Sequence, residues 1–424
     1  MIQSLDVILW DRKAGTLVLS KTGYKEQICF YFNPDFVKSG LDIAPLRASV
    51  SGVAARQGLP IYPDDDKIFK GLPSFIADSM PDHWGNTVFN EWAKINGIKR
   101  KDISALDILA YIGRRGMGAL EFVPPTSEGL ETPFKVQIER LSILAQKVMD
   151  DAKSFHTTLS PSLAIESLFK VGTSAGGRRP KAVINLNTET QECYSGQVAT
   201  PVPGFTPMII KFDEHGDMPS AMIEYSYFLM ASAAGLKMMP CRLLSCGKES
   251  HFLTERFDRR GTEKLHVQTL AAMSPLSSSY EDLFTTAQRI GIPPEEIQML
   301  FRQMVLNILA ANVDDHNKNF SFLMTQSGEW HISPAYDFTF TVDTSAPYYI
   351  NRHSMSVNGT NQGITRDDLL SVAKQFNIKR ACTIIDRSIE TVTEYRKYAV
   401  EAGVPEHWIK KIEYEIADRV SLIK

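Results

Sequence analysis

Residues 308–340 read ILAANVDDHNKNFSFLMTQSGEWHISPAYDFTF, and the reading of this stretch decides the fold. Just upstream, Pro293 and Pro294 open a helix with Glu295 and Glu296 in its first turn, where acidic side chains suit the helix dipole. Ile297, Leu300, Phe301, Met304, Val305, Ile308 and Leu309 then recur at helical spacing, so this helix buries one stripe and holds the segment after it rigidly. That segment is a loop in which Asn319 comes five residues after Asp314. Residues 320–324 and 330–333 are strand-like on either side of a Gln326-Ser327-Gly328 turn, and Tyr336-Asp337-Phe338 lies just past that hairpin.

A carboxylate and an amide at this spacing, on a loop folded back on itself, face one side. In phosphoryl-transfer sites of the protein-kinase type, such an Asp reaches the attacking hydroxyl and such an Asn reaches a magnesium ion. A second carboxylate beyond a hairpin completes the metal site. Asp and Asn oxygens suit magnesium, a hard cation that keeps several waters. Any one of these acids alone would more often cap a helix or close a turn. The ordered set carries the expectation: Asp314 as catalytic base, Asn319 and Asp337 as metal ligands.

Composition sets the frame. A chain of 424 residues needs two or three domains, and its 43% hydrophobic and 22% charged residues are those of a soluble globular protein. A formal net charge of -3 gives no global pull toward nucleic acid or an anionic membrane. The five cysteines form no CxxC pair, so neither zinc nor a disulfide framework is expected. No signal peptide and no apolar run long enough for a bilayer is visible, so a cytoplasmic location without membrane contact is expected.

Residues 1 to about 60 read as β-rich, with strands at 7–10 and 17–19 around a turn at 11–15 and a further strand at 28–32. Helices are expected at 81–95 and 102–112, and GRRGMG at 113–118 is read as a structural turn before a strand at 119–123. A first boundary falls near 124–129, and residues 136–165 are helical in pattern. Next, GTSAGGRRPKA at 172–182 leads into a strand. Glycines here would let backbone N–H groups approach phosphate oxygens, with basic side chains balancing charge. Residues 207–212 form a strand that ends at Lys211, placed to meet phosphates, and residues 219–234 a helix that contains Glu224. A strand at 252–254 leads to Glu255–Phe257, which could present backbone groups to adenine, and to Asp258, which could reach a ribose; a salt-bridged strand end is the other reading. After residue 261 the pattern is mostly helical, including 369–376 and 381–401.

Taken in order, GLPSFIADSMPDHWG (71–85), GTSAGGRRPKA (172–182), IIKF (209–212), LTERFDR (253–259), VDDHNKNFSF (313–322) and SPAYDF (333–338) resemble the HipA family of bacterial serine/threonine kinases. These are the toxin halves of toxin–antitoxin pairs. The resemblance implies an α+β, bilobal protein-kinase-like (HipA-like) fold with an N-terminal β-rich subdomain and a mostly helical C-terminal lobe. It divides the chain into 1–130, 131–258 and 259–424. It implies ATP and Mg2+, with Gly172, Ser174, Gly176, Gly177, Lys181, Lys211, Glu255, Phe257, Asp258 and His316 at the nucleotide. It also implies autophosphorylation of Ser174 or its neighbour Thr173, and a phosphate there would repel the phosphates that the loop must cradle. As partners it implies a helix-turn-helix antitoxin of the HipB type, which carries the DNA contact. It further implies a protein acceptor with a Ser or Thr hydroxyl, such as a translation factor or an aminoacyl-tRNA synthetase.

The loop departs from ordinary protein kinases: Asn312-Val313-Asp314 stands in place of HRD, Lys318 is four residues after the Asp, and Asp337-Phe338-Thr339 replaces DFG. Two other readings therefore stay open, a phosphotransferase for a lipid or small molecule and a catalytically silent module that binds an antitoxin or its DNA complex.

Overall fold

The computed structural model describes residues 2–22, 25–64, 67–95, 97–99, 102–126, 133–153, 179–196, 198, 202–213, 216–247, 249–343 and 351–424. The chain forms two compact units, one of residues 1–215, 244–268 and 324–329, the other of residues 216–243, 269–323 and 330–424. Both are α+β in make-up.

The first unit begins with β1 (Ser4–Leu9), β2 (Arg12–Thr22) and β3 (Lys25–Phe32). After several short helical turns come helices α1 (His83–Ile95) and α2 (Ala105–Ile112), then β4 (Leu120–Val123), which completes an antiparallel sheet ordered β3-β2-β1-β4. The β1–β2 turn sits at Trp10-Asp11, both with positive φ, and not at 11–15 as the sequence suggested. Paired positive-φ residues give the turn whose twist matches a hairpin. Gly15 belongs to β2 instead. A Cβ there would collide with the Tyr31 carbonyl and the Phe30 ring, so this glycine serves close approach and not a turn. Ser104 caps α2 in a reciprocal capping box with Asp107.

Helix α3 (Ile138–Lys153) precedes a second antiparallel sheet in this unit, with β5 (Lys181–Leu186), β6 (Cys193–Ser195) and β7 (Thr206–Lys211). Strands β8 (Cys241–Cys246), which joins this unit from Leu244, and β9 (Glu249–Glu255) complete the order β6-β5-β7-β9-β8. Every residue of β5 is buried, as a central strand requires.

The second unit is mostly helical. Between β7 and β8 lies α4 (Ser220–Ala233), and Gly235 ends it at φ +77°. Helices α5 (Tyr280–Arg289) and α6 (Pro294–Leu309) lead to a hairpin of β10 (Ser321–Met324) and β11 (Trp330–Ile332). The C-terminal part comprises α7 (Arg366–Gln375), α8 (Ala381–Thr393), α9 (Tyr395–Glu401) and α10 (Glu406–Ile423). The stretch 381–401, helical in pattern, forms two helices with a break at Glu394. The break turns Tyr395 into the core, where its ring lies 5.6 Å from that of Tyr227 and its hydroxyl 3.1 Å from Ser226 on α4. No helix among the described residues is long and apolar enough to cross a membrane.

Candidate active site

The loop between α6 and β10 is built from both ends. All seven apolar residues of the α6 stripe are buried, so the helix end is fixed. The helix closes with the Asn312 amide on the Asn307 carbonyl (3.0 Å) and with Ala311 at φ +57°, the left-handed closure usually given to glycine. The chain then leaves the helix sharply into Val313 and Asp314.

Thr341 fixes the start of the loop. Its Oγ1 accepts the backbone N–H of Val313 (2.7 Å) and of Asp314 (3.0 Å) and donates to Asn312 Oδ1 (3.3 Å). Asn312 Nδ2 in turn donates to Asn307 Oδ1, and Asn307 Nδ2 to the Tyr280 hydroxyl, each at 2.9 Å. Tyr280 donates to Asp315 Oδ2 at 2.7 Å, which carries this buried polar chain back to the loop. Asp315, 1% exposed, also accepts from His353 Nδ1 (2.9 Å) and from the backbone N–H of Ser354 (2.8 Å) and Met355 (3.4 Å). Burial, and then the charge of Asp315, push the Tyr280 hydroxyl well above its ordinary pKa, so it stays a donor.

With Asp315 turned inward, Asp314 points out, its side chain 60% exposed. Asn319 folds back: its Nδ2 donates to the Asp314 carbonyl (2.8 Å) and its backbone N–H to the His316 carbonyl (2.8 Å). His316 Nε2 is 4.0 Å from Asp314 Oδ1, and its buried Nδ1 has no hydrogen-bond partner among the described residues. Asn317 ties the middle of the loop to the Ser277 carbonyl, and the Tyr336 hydroxyl donates to the Lys318 carbonyl (2.7 Å). The residue after Tyr336 is Asp337, at φ +51°, a conformation that Asp tolerates better than most residues. Phe338 behind it is buried against the Tyr227 ring at 5.4 Å. The hairpin itself is clamped by Glu296, which accepts from His331 and from the Ile332 amide, each at 2.7 Å.

Among the described residues no cluster of three His, Cys, Asp or Glu side chains forms a self-sufficient metal site. Magnesium does not ask for one: it is held by one or two protein oxygens together with phosphates and waters. Asn319 fits that role, because its Nδ2 is committed to the loop backbone and its Oδ1 is left for a cation. Asp337 is half-buried, on the segment that follows Tyr336.

The first unit holds the other candidates. Lys181 and Lys211 are cross-strand partners on β5 and β7; Lys181 is 3% exposed and Lys211 lies 5.6 Å from the Phe252 ring centre. The buried Trp84 indole donates to the Lys181 carbonyl at 2.8 Å, which explains why the 71–85 segment matters here. Glu255 ends β9 half-buried, and burial raises its pKa; Phe257 is half-buried beyond it. Gly172, Ser174, Gly176 and Gly177 lie outside the described residues.

Asp258 requires a correction. It is 0% exposed and both its oxygens are occupied: Oδ1 by Arg256 Nε (2.9 Å), Oδ2 by Arg256 Nη2 (2.8 Å), Arg259 Nη1 (2.6 Å) and the Gly118 amide (2.7 Å). Burial alone would raise its pKa. The two guanidiniums and the hydrogen bonds from Arg256 and Gly118 outweigh that and hold the carboxyl far below its usual range. Arg259 also donates to the Gly116 and Gly118 carbonyls. The salt-bridged strand end is therefore what forms, no oxygen is left to meet a ribose, and GRRGMG is a structural turn, as its position before a strand suggests.

Sequence reasoning missed Thr341, Tyr280, His353 and the inward role of Asp315. Only the DD pair itself gave a signal: of two adjacent acids on a loop, one must face inward if the other faces out.

Comparison with known proteins agrees with this architecture. Residues 173–411 match the HipA-like C-terminal domain and residues 5–123 the HipA N-terminal domain. The serine/threonine-protein kinase toxin HipA of Shewanella oneidensis (strain MR-1) is 22% identical over 361 residues, 79% of this chain and 74% of that protein. The kinase-named protein Y4mE of Sinorhizobium fredii (strain NGR234) is 21% identical over 348 residues, 75% of this chain and 78% of that one. HipA in the Shewanella oneidensis MR-1 complex of HipA, HipB and operator DNA shares the fold, with a TM-score of 0.66 and 16% identity over 98% of this chain and 96% of that one. The two domain matches span most of the sequence, one from each end, and the chain belongs to the HipA family.

Proposed function

We propose that this chain is an ATP-dependent serine/threonine protein kinase and the toxin half of a toxin–antitoxin pair. The observation that carries the reading is the loop that turns Asp314 outward while Asn319 folds back onto it. The names of the two relatives, a kinase toxin and a kinase, support the same class.

Asp314 orients the acceptor hydroxyl and takes its proton as the oxygen attacks the γ-phosphoryl group in line. Thr341, on the Val313 and Asp314 amides, keeps that carboxylate from drifting. Asn319 and Asp337 would hold Mg2+, which supplies charge neutralisation on the transferring phosphate. Lys211 and Lys181 balance phosphate charge from β7 and β5, His316 stands beside Asp314, and Glu255 and Phe257 offer the adenine contacts. Most of the rate then comes from positioning and electrostatics.

A HipB-type helix-turn-helix antitoxin is the partner, supported by the HipA–HipB–operator DNA complex of the structural neighbour, with DNA reached through the antitoxin. Ser174 is the regulatory phosphorylation site, and a phosphate there would inactivate the enzyme by repelling the nucleotide's phosphates.

The test is incubation with labelled ATP and Mg2+, against protein and against metabolite acceptors, followed by mass spectrometry at Ser174 and Thr173. Asp314→Asn should lower phosphotransfer by about 10²–10⁴-fold while the exposed position leaves the melting temperature unchanged. Undiminished transfer by this variant would refute the assignment, and transfer only to a lipid or small molecule would replace the protein-kinase reading.

A further inference from the structure

Away from the loop, the helical unit contains a cluster of like charge. Helices α6 and α8 pack together, and an open concavity beside them is lined by Gln298, Arg302, Arg380, Thr383, Ile384 and Arg387. Three arginines line it and no carboxylate does. Arg302 is the anchored member, its Nη1 donating to the Gly235 carbonyl at 2.8 Å. Arg380 and Arg387 are exposed, and neither has an ion-pair partner among the described residues; the neighbouring Asp386 is turned away to Arg366. Burial and then the nearby Arg387 charge lower the pKa of Arg302, so the cluster repels itself when empty. Arg380 is also the N-cap of the 13-residue α8, with no side-chain cap on the first-turn amides. Those amides add partial positive charge on the same side as Thr383.

Gathering guanidiniums without counter-charge costs free energy that an anion returns, and forked N–H groups beside a hydroxyl and helix amides match tetrahedral oxygens. The surroundings limit the size of that anion. One turn along the α8 face from Arg387 stands the exposed Glu390, and one turn before Gln298 on α6 stands the exposed Glu295. A long polyanion laid along either helix would run onto these carboxylates.

We propose that Arg302, Arg380, Arg387, Thr383 and the N-terminus of α8 form a binding site for a compact phosphate, either inorganic phosphate or the terminal group of a phosphomonoester. The site does not depend on the phosphotransfer reading, and its test uses no catalysis.

Calorimetric titration of the full chain at fixed ionic strength, with inorganic phosphate and separately with phosphoserine, measures it. Phosphate could bind elsewhere on the chain as well, so the informative quantity is the difference between wild type and the exposed-side variants Arg380→Gln and Arg387→Gln. Each variant should weaken binding by about tenfold, the worth of one charge-assisted contact, and the neighbouring Lys379→Gln should leave it unchanged. The tighter of the two ligands identifies the source of the phosphate. Equal binding by wild type and both arginine variants would overturn the proposal. So would an equal loss in Lys379→Gln, the mark of a diffuse field, or binding of a DNA duplex through these arginines that phosphate fails to displace.

Discussion

Asp315 offers the sharpest test of how the loop is held. Its Oδ1 accepts two backbone N–H groups, from Ser354 and Met355, and its Oδ2 accepts from Tyr280 and His353. An Asp315→Asn amide must keep its oxygen toward Ser354 and Met355, because a peptide N–H cannot accept. Its NH2 then faces Tyr280 and His353. His353 adapts by moving its proton to Nε2. Tyr280 already accepts from Asn307 and would be left with a hydroxyl hydrogen that has no acceptor. The variant therefore loses one bond of the charge-assisted kind, roughly 1.5–3 kcal/mol. Asp315→Ala strands all four donors at a 1% exposed site and should cost about 3–5 kcal/mol. Urea unfolding measures the difference. Because two units need not unfold together, hydrogen exchange at the Ser354 and Met355 amides localises it. If Asp315→Ala lies within about 1 kcal/mol of wild type, or if Asp315→Asn costs as much as Asp315→Ala, the network reasoning is wrong.

Three further outcomes are expected. Thr341→Val removes the acceptor for two loop amides at constant shape. It should lower kcat of phosphotransfer by about 10–100-fold with KM for ATP little changed, and Thr341→Ser should restore it; a Val variant as active as wild type removes Thr341 from the positioning role. His266 is fully buried with Nε2 2.9 Å from the Ile43 carbonyl, and burial pushes its pKa from 6.5 down to about 4. Between pH 6.5 and 4 the unfolded chain takes up this proton and the folded chain does not. Stability should therefore fall with pH across that window, by roughly 3 kcal/mol in all, and hold steady above it; in His266→Gln this component of the urea midpoint's slope should vanish. Asp258→Ala leaves Arg256 and Arg259 buried without their carboxylate and should cost about 3–5 kcal/mol, whereas breaking an exposed pair such as Lys38–Asp35 should have far less effect; equal effects in urea unfolding would contradict the burial argument.

What the sequence disclosed and what it hid divide along sequence separation. Helix α6 was legible because seven apolar residues repeat at one period, and the order of loop, hairpin and Asp337 because each step is local. Gly15 was misread as a turn because composition says only that glycine is permissive. The reason it is needed, the ring of Phe30 on the neighbouring strand, is not local. Asp258 was ambiguous for a similar reason: Arg256 and Arg259 were visible beside it, but the amide that fills its last oxygen comes from Gly118, 140 residues away.

The same division runs through the site. An exposed carboxylate on a loop takes its position chiefly from the backbone beneath it. Here that backbone is held by Thr341, Tyr280 and His353, at separations of 27, 35 and 38 residues from the groups they bind. Each of these three side chains would look unremarkable in a sequence, since a Thr, a Tyr and a His occur everywhere. The polar chain they form is nevertheless costly to bury unless it is completed, and completion ties α5, α6, the loop and the segment around 341–355 into one arrangement. A substitution far from Asp314 can therefore act on it without touching it, and the residues most able to do so are the buried polar ones that no motif contains.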